Sequence, residues 1–288
     1  MNQDHQSYQA IPESKPSIGK SVRDYARTVL ITLVVALFLK TFFIEAFRIP
    51  SASMEKTLLV GDFLMVNKFA YGLRTPRYVP LTNIAVPSLT IPSFKNIQRG
   101  DVVVFEFPRI RGSQSSSEVS NYVKRCVGLP GDTVEILDGE LFVNGSRLLL
   151  PQDSFHEATG NGLDLKEHFG PVVVPKEGMT IFLNPRNARR YRRLLHHEGR
   201  ELEVDARGRV LIDGEPATSY TVRKNYYFML GDNRHNSLDS RAWGFVPESN
   251  IIGEALFVYW SWDPEVEASS IGERLKSVRW ERIGTIIR

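Results

Sequence analysis

The chain has 288 residues, a formal net charge of +3 and one cysteine, Cys126. Apolar residues make up 42% and charged residues 24%, values of a globular chain that can bury a sizeable core as one large domain or about two. One cysteine excludes an internal disulfide and a cysteine-rich zinc site, and the six histidines show no metal-ligand spacing, so no metal or other cofactor is expected.

Residues 1–20 are polar and read as a disordered tail. The apolar run that follows is interrupted by Lys40 and continues to Phe47. Residues 28–47 form a stretch of 20, about 30 Å as helix, enough to cross a bilayer. The run is long for a cleavable leader, and no small-x-small site precedes a mature start, so a permanent anchor is expected. Lys15, Lys20, Arg23 and Arg27 precede it, with Asp24 the only acid among residues 15–27. That bias places a tail of residues 1–27 in the cytoplasm and everything after Phe47 outside.

Residues 47–59, FRIPSASMEKTLL, leave the anchor through Arg48-Ile49-Pro50, where proline ends helical geometry. Ser51 and Ser53 stand one residue apart, and an extended segment would point both hydroxyls the same way. A polar stop after a helix is the plain alternative. Beyond this point short β-prone runs follow, with strands expected at 62–66, 102–107, 121–127, 133–137, 140–143, 180–183, 209–212, 226–230 and 255–260. Asp138-Gly139 is a type I′ hairpin turn, and Asn144-Gly145 turns the chain again. Many short strands between Gly and Pro mean a mostly β body of antiparallel sheets. Its expected parts are a catalytic domain of residues 48–150 and 220–288 and a polar inserted subdomain of residues 151–219.

Two stretches depart from this texture. Residues 78–94 carry three prolines and read as a surface loop. Residues 186–200 hold six arginines and two histidines, with Tyr191, Leu194 and Leu195 spaced for one short amphipathic helix. A solvated helix face is the bland interpretation, and a surface for anionic lipid head groups the sharper one. Nucleic acid is not an expected partner, because the rest of the body is not basic.

Four features carry chemistry: Ser53, Lys124 in NYVKRCVGL, the polar loop GDNRHNSLDSRAWGFVP at 231–247, and the Ser51/Ser53 pair. Serine is a weak nucleophile until a base takes its proton. Lysine can be that base if burial among apolar side chains keeps its amine neutral. The backbone N–H of Ser53 and the hydroxyl of Ser51 would supply two donors to a tetrahedral oxyanion.

The segments IPSASM, NYVKRCVGLPGD and GDNRHNSLDSRAWGFVP, with RGDVVVF, resemble the signature regions of bacterial type I signal peptidases in order and spacing. The resemblance implies a membrane-anchored Ser–Lys endopeptidase that removes signal peptides from secreted preproteins, with no cofactor. It makes Ser53 the nucleophile, Lys124 the general base and Ser51 a donor of the oxyanion hole. It has Ser237 orient the lysine amine, with Arg125–Asp232 and Asp239–Arg241 as supporting ion pairs. Ile49, Met54, Leu58, Tyr122 and Val123 would line shallow pockets for small residues at the −1 and −3 positions of the substrate. The departures are His235, where aspartate is common, and Lys56, where proline is common. A self-cleaving repressor-type peptidase would use the same chemistry, but it calls for a DNA-binding domain and no anchor. A non-enzymatic anchored β-domain would leave Ser53 and Lys124 dispensable.

Overall fold

A computed structural model describes residues 18–72, 95–107, 121–149, 167–266 and 271–288. Residues 1–17 of the expected tail and the loop expected at 78–94 lie outside these. Helix α1 spans Ile18–Phe42, and its stretch Val22–Phe42 has the length and mean hydropathy, 1.6, to cross a membrane. It is displaced from the expected span of residues 28–47, because residues 44–48 are strand. That strand, β1 (Ile44–Arg48), pairs antiparallel with β2 (Asp62–Asn67). Aromatic and β-branched side chains suit a half-buried edge strand as well as an apolar helix, and hydropathy alone does not separate the two.

Two further strands, β3 (Val102–Glu106) and β4 (Asn121–Gly128), precede the hairpin β5 (Thr133–Leu137) and β6 (Glu140–Val143) and the short β7 (Ser146–Arg147). Asp138 and Gly139 have φ of 52° and 77°, as the expected type I′ turn requires. Next come β8 (Phe169–Val173), β9 (Thr180–Phe182), helix α2 (Ala188–His197), β10 (Leu202–Val204), β11 (Val210–Ile212), β12 (Glu215–Pro216) and β13 (Ser219–Thr221). The chain then forms β14 (Tyr226–Leu230), a short helix α3 (Ser240–Trp243), β15 (Val246–Pro247) and the long β16 (Ile251–Ser261).

The main sheet has the order β1-β2-β16-β3-β4-β14-β15, and its pairings are antiparallel. The fold is therefore mostly β, as the punctuated strand pattern implies. Strand β4 is buried from Lys124 to Gly128. Cys126 and Val127, whose side chains leave opposite faces, join different apolar clusters, so this strand is packed on both sides. Val102, Val104, Leu64 and Val66 form a third cluster with Ile49, Met54 and Leu58.

The boundary expected at residue 150 does not follow the packing. A second sheet, β7-β6-β5-β8, joins residues 133–147 to Phe169–Val173. Its core, with Val134, Ile136 and Leu141, is continuous with Leu194 and Leu195 of α2 and with Val127, Tyr226 and Phe228 of the main sheet. The glycine turns fix the local hairpin, whereas the partner of β5 comes from residues far along the chain, which local pattern does not reveal.

Candidate active site

Ser53 lies eleven positions beyond Phe42, the end of α1. The loop that carries it leaves β1 and returns at β2, closed by Ile49 N–H to the Asp62 carbonyl (2.8 Å) and Gly61 N–H to the Ile49 carbonyl (3.0 Å). Ala52–Met54 form one 3-10 turn, so the segment is not extended as expected; Ser51, at its N-cap, has φ −138° and ψ 155°. The Ser51 and Ser53 hydroxyl oxygens still lie 3.4 Å apart. Met54 is buried and anchors the turn in the core, which fixes Ser53 beside it.

Lys124 reaches this turn from β4. Its Nζ donates to Ser53 Oγ at 2.6 Å and to the Val123 carbonyl at 3.0 Å. The residue is 4% exposed. The Tyr122 ring centroid lies 5.6 Å from Nζ. Burial lowers the Lys124 amine from 10.5 to about 8, against the opposing pull of the Asp239 and Asp232 carboxylates.

Those carboxylates are held by the arginines expected to pair with them. Arg125 Nε and Nη2 grip Asp232 at 2.8 and 2.7 Å, with both side chains almost wholly buried. Arg241 Nε and Nη2 grip Asp239 at 2.8 and 2.8 Å in the same two-pronged way. Asp239 also caps α3 through the Arg241 N–H, the N-cap role for which aspartate is favoured.

Ser237 departs from expectation. Its hydroxyl is buried and has no hydrogen-bond partner among the described residues, and Lys124 is instead held by Ser53 and the Val123 carbonyl. Ser237 packs against Gly231, which has no room for a side chain: a Cβ there would strike Ser237 Oγ and come within 2.5 Å of the Ser53 carbonyl.

The expected pocket residues divide into two groups. Ile49, Met54 and Leu58 are buried in one core cluster. Tyr122 and Val123 are half-buried and accessible beside Lys124. His235 is exposed on the 3-10 turn Arg234–Asn236. Lys56 has φ +95°, which proline cannot adopt, so the departure from the common residue matches this loop's backbone.

Several supporting residues were not read from the sequence. The Thr57 hydroxyl donates to Asp232 Oδ2 at 2.5 Å and accepts from Arg125 Nη2 at 3.1 Å. Arg282 Nη2 reaches Asp62 Oδ2 at 2.5 Å and the Thr57 carbonyl at 3.0 Å, stapling the serine loop from 220 and 225 positions away. Asn233 donates from its N–H to the Ser53 carbonyl at 3.2 Å and from Nδ2 to Glu55 at 3.1 Å. Only Asn233 carried a signal, its place in the dense polar loop. Among the described residues no group of three or more His, Cys, Asp or Glu could hold a metal ion.

A serine bonded to a buried lysine on a β scaffold defines a candidate Ser–Lys hydrolase site. Residues 22–260 match the family described as signal peptidase, peptidase S26. A signal peptidase I of Pseudomonas aeruginosa is 36% identical, aligned over 84% of this chain and 74% of its own. One from Helicobacter pylori is 32% identical over 92% of each chain. A solved signal peptidase I from Enterococcus faecalis is 25% identical, covering 56% of this chain and 98% of its own, with a TM-score of 0.31. The chain belongs to the signal peptidase family, S26, and is a peptidase.

Proposed function

We propose that the chain is a membrane-anchored serine endopeptidase that removes signal peptides from exported preproteins. Ser53 is the nucleophile and Lys124 the general base. The observation that carries this reading is the 2.6 Å bond between Lys124 Nζ and Ser53 Oγ, made by an amine that burial lowers from 10.5 to about 8. The family match and the apolar helix before the serine loop support it.

Neutral Lys124 accepts the Ser53 proton along the existing contact as Oγ attacks the scissile carbonyl. Ser51 Oγ–H and the Ser53 N–H stand on the same turn as donors for the oxyanion. The ammonium on Lys124 returns its proton to the leaving amine, and the neutral amine then activates water to hydrolyse the acyl ester. Asp232 and Asp239, each neutralised in part by its arginine, stabilise the transient ammonium without keeping it permanently charged.

The preprotein's cleavage segment binds extended, as an added strand beside the serine loop and β4. Side chains at −1 and −3 meet the accessible Tyr122 and Val123, with Ile49, Met54 and Leu58 packed in the core beneath them. The anchor puts the N-terminus in the cytoplasm and the catalytic body on the outer side of the cytoplasmic membrane, where the substrate's own apolar segment lies in the same bilayer. Ser53 follows the end of the helix by eleven positions, a reach of at most about 40 Å.

The test is incubation of the detergent-solubilised chain with a preprotein, followed by N-terminal sequencing of the product. Cleavage after a small residue is expected, with none by the Ser53→Ala variant. Cleavage retained by Ser53→Ala contradicts the assignment.

A further inference from the structure

Away from the serine loop, α2 and the turn carrying α3 enclose a groove of about 630 Å³. Its walls include Arg186, Arg189, Arg190, Arg192 and Arg193 on one side and Arg241 on the other. The five arginines of the α2 region have no carboxylate within ion-pair distance among the described residues. Two rest against aromatic faces instead: Arg190 Cζ is 5.7 Å from the Phe169 ring centroid, and Arg193 Cζ is 6.0 Å from that of Phe107. Arg193 Nη1 donates to the Trp243 carbonyl at 3.0 Å, tying α2 to α3 across the groove. Burial and the like charge of Arg189 both push Arg193 below its usual range.

A solvated basic face needs no cavity, and its neighbours need no spare donors. Here two buried N–H donors of residues lining the groove, Arg241 Nη1 and Trp243 Nε1, have no hydrogen-bond partner among the described residues. Arg241 is 5% exposed, with its other nitrogens committed to Asp239 and to the Arg234 carbonyl at 2.8 Å. A buried donor without an acceptor costs about 1–3 kcal/mol, so such donors usually have a partner. The guanidinium groups of the α2 region, with no carboxylate partner among the described residues, also repel one another, and a polyvalent anion in the groove relieves that repulsion.

We propose that this groove is an anion site that takes a phosphate-bearing group. Arginine forks match the several oxygens and double charge of phosphate, and the aromatic contacts hold two of the forks in place beforehand. The phosphate arrives either as a soluble anion or as an anionic lipid head group. The site is separate from the Ser53–Lys124 contact and does not depend on the assigned protease activity.

The experiment measures pyrophosphate binding to the full chain in phosphatidylcholine nanodiscs, against chloride at matched ionic strength. Saturable binding in roughly the millimolar range or tighter is expected. In the Arg189→Glu/Arg190→Glu protein, both changes being at exposed positions, affinity should fall at least tenfold while thermal unfolding stays unchanged. Repeating the titration with phosphatidylglycerol in the disc separates the sources. A weakened pyrophosphate affinity identifies the head group as occupant, and an unchanged one identifies the soluble anion. Absence of saturable binding beyond chloride, or binding undiminished in the double variant, overturns the proposal.

Discussion

Lys124 Nζ and Ser53 Oγ lie 2.6 Å apart although 71 positions separate them in the chain. The contact exists because β3 and β4 pair with Val103 opposite Lys124, and because Met54 seats the serine turn in the core under that strand. The lysine is kept from water in the same arrangement, and that lowers its amine to about 8.

The pH dependence of cleavage follows. On the proposed mechanism Lys124 acts only when neutral, and burial lowers its titration to about 8. The acidic limb of kcat/KM should therefore have its midpoint near pH 8, not near the 10.5 of an exposed lysine. Initial rates of preprotein cleavage between pH 6 and pH 10 measure it, and a limb centred near 10.5 is the contrary result.

The same group governs stability with a definite sign. Its pKa is lower folded than unfolded, so the unfolded chain binds more protons between about 8 and 10.5, and stability rises with pH across that window. Below pH 8 the buried charge opposes folding by at most about 3 kcal/mol. Lys124→Met, which keeps the volume, should be more heat-stable than the parent at pH 7, with the gap closing as the pH nears 10. Thermal unfolding of both proteins in detergent across that range gives the answer.

Breaking the buried pair beneath the site should be costly. The Arg125 and Asp232 side chains are 1% and 3% exposed, so Asp232→Asn leaves a guanidinium short of its counter-charge inside the protein. A loss of about 3–5 kcal/mol is expected in denaturant titration. Removing both charges, as in Arg125→Met/Asp232→Leu, should recover part of the loss, because no uncompensated ion remains.

Gly231→Ala tests how closely the polar loop must approach the serine. The new methyl meets Ser237 and the Ser53 carbonyl, and backbone cannot swing aside as a long side chain would. Displacing Ser53 by about 1 Å should lower kcat/KM about 10²-fold. A value within twofold of the parent would mean that the turn yields freely.

Much of this was legible in the sequence for identifiable reasons. The Asp138-Gly139 turn, the strand around Lys124 and the amphipathic helix at Ala188–His197 are encoded locally, by turn chemistry and by periodicity. The arginine–aspartate pairs were reached by resemblance. The end of α1 was not legible, because Ile44–Arg48 is apolar enough for either conformation and only the pairing with β2 decides. The staple from Arg282 to Asp62, the Thr57 bridge and the union of residues 133–147 with α2 join distant segments, which no local pattern announces. Ser237 was expected to bond the amine, and its side chain instead lies against Gly231.

The most direct measurement is the rate of preprotein cleavage by Lys124→Ala and Lys124→Arg beside the parent chain. Both variants should lose about 10²–10⁴-fold or more in kcat, the first for want of a base and the second because a guanidinium stays charged. Either variant cleaving at the parental rate would contradict the assignment of Lys124 as the base.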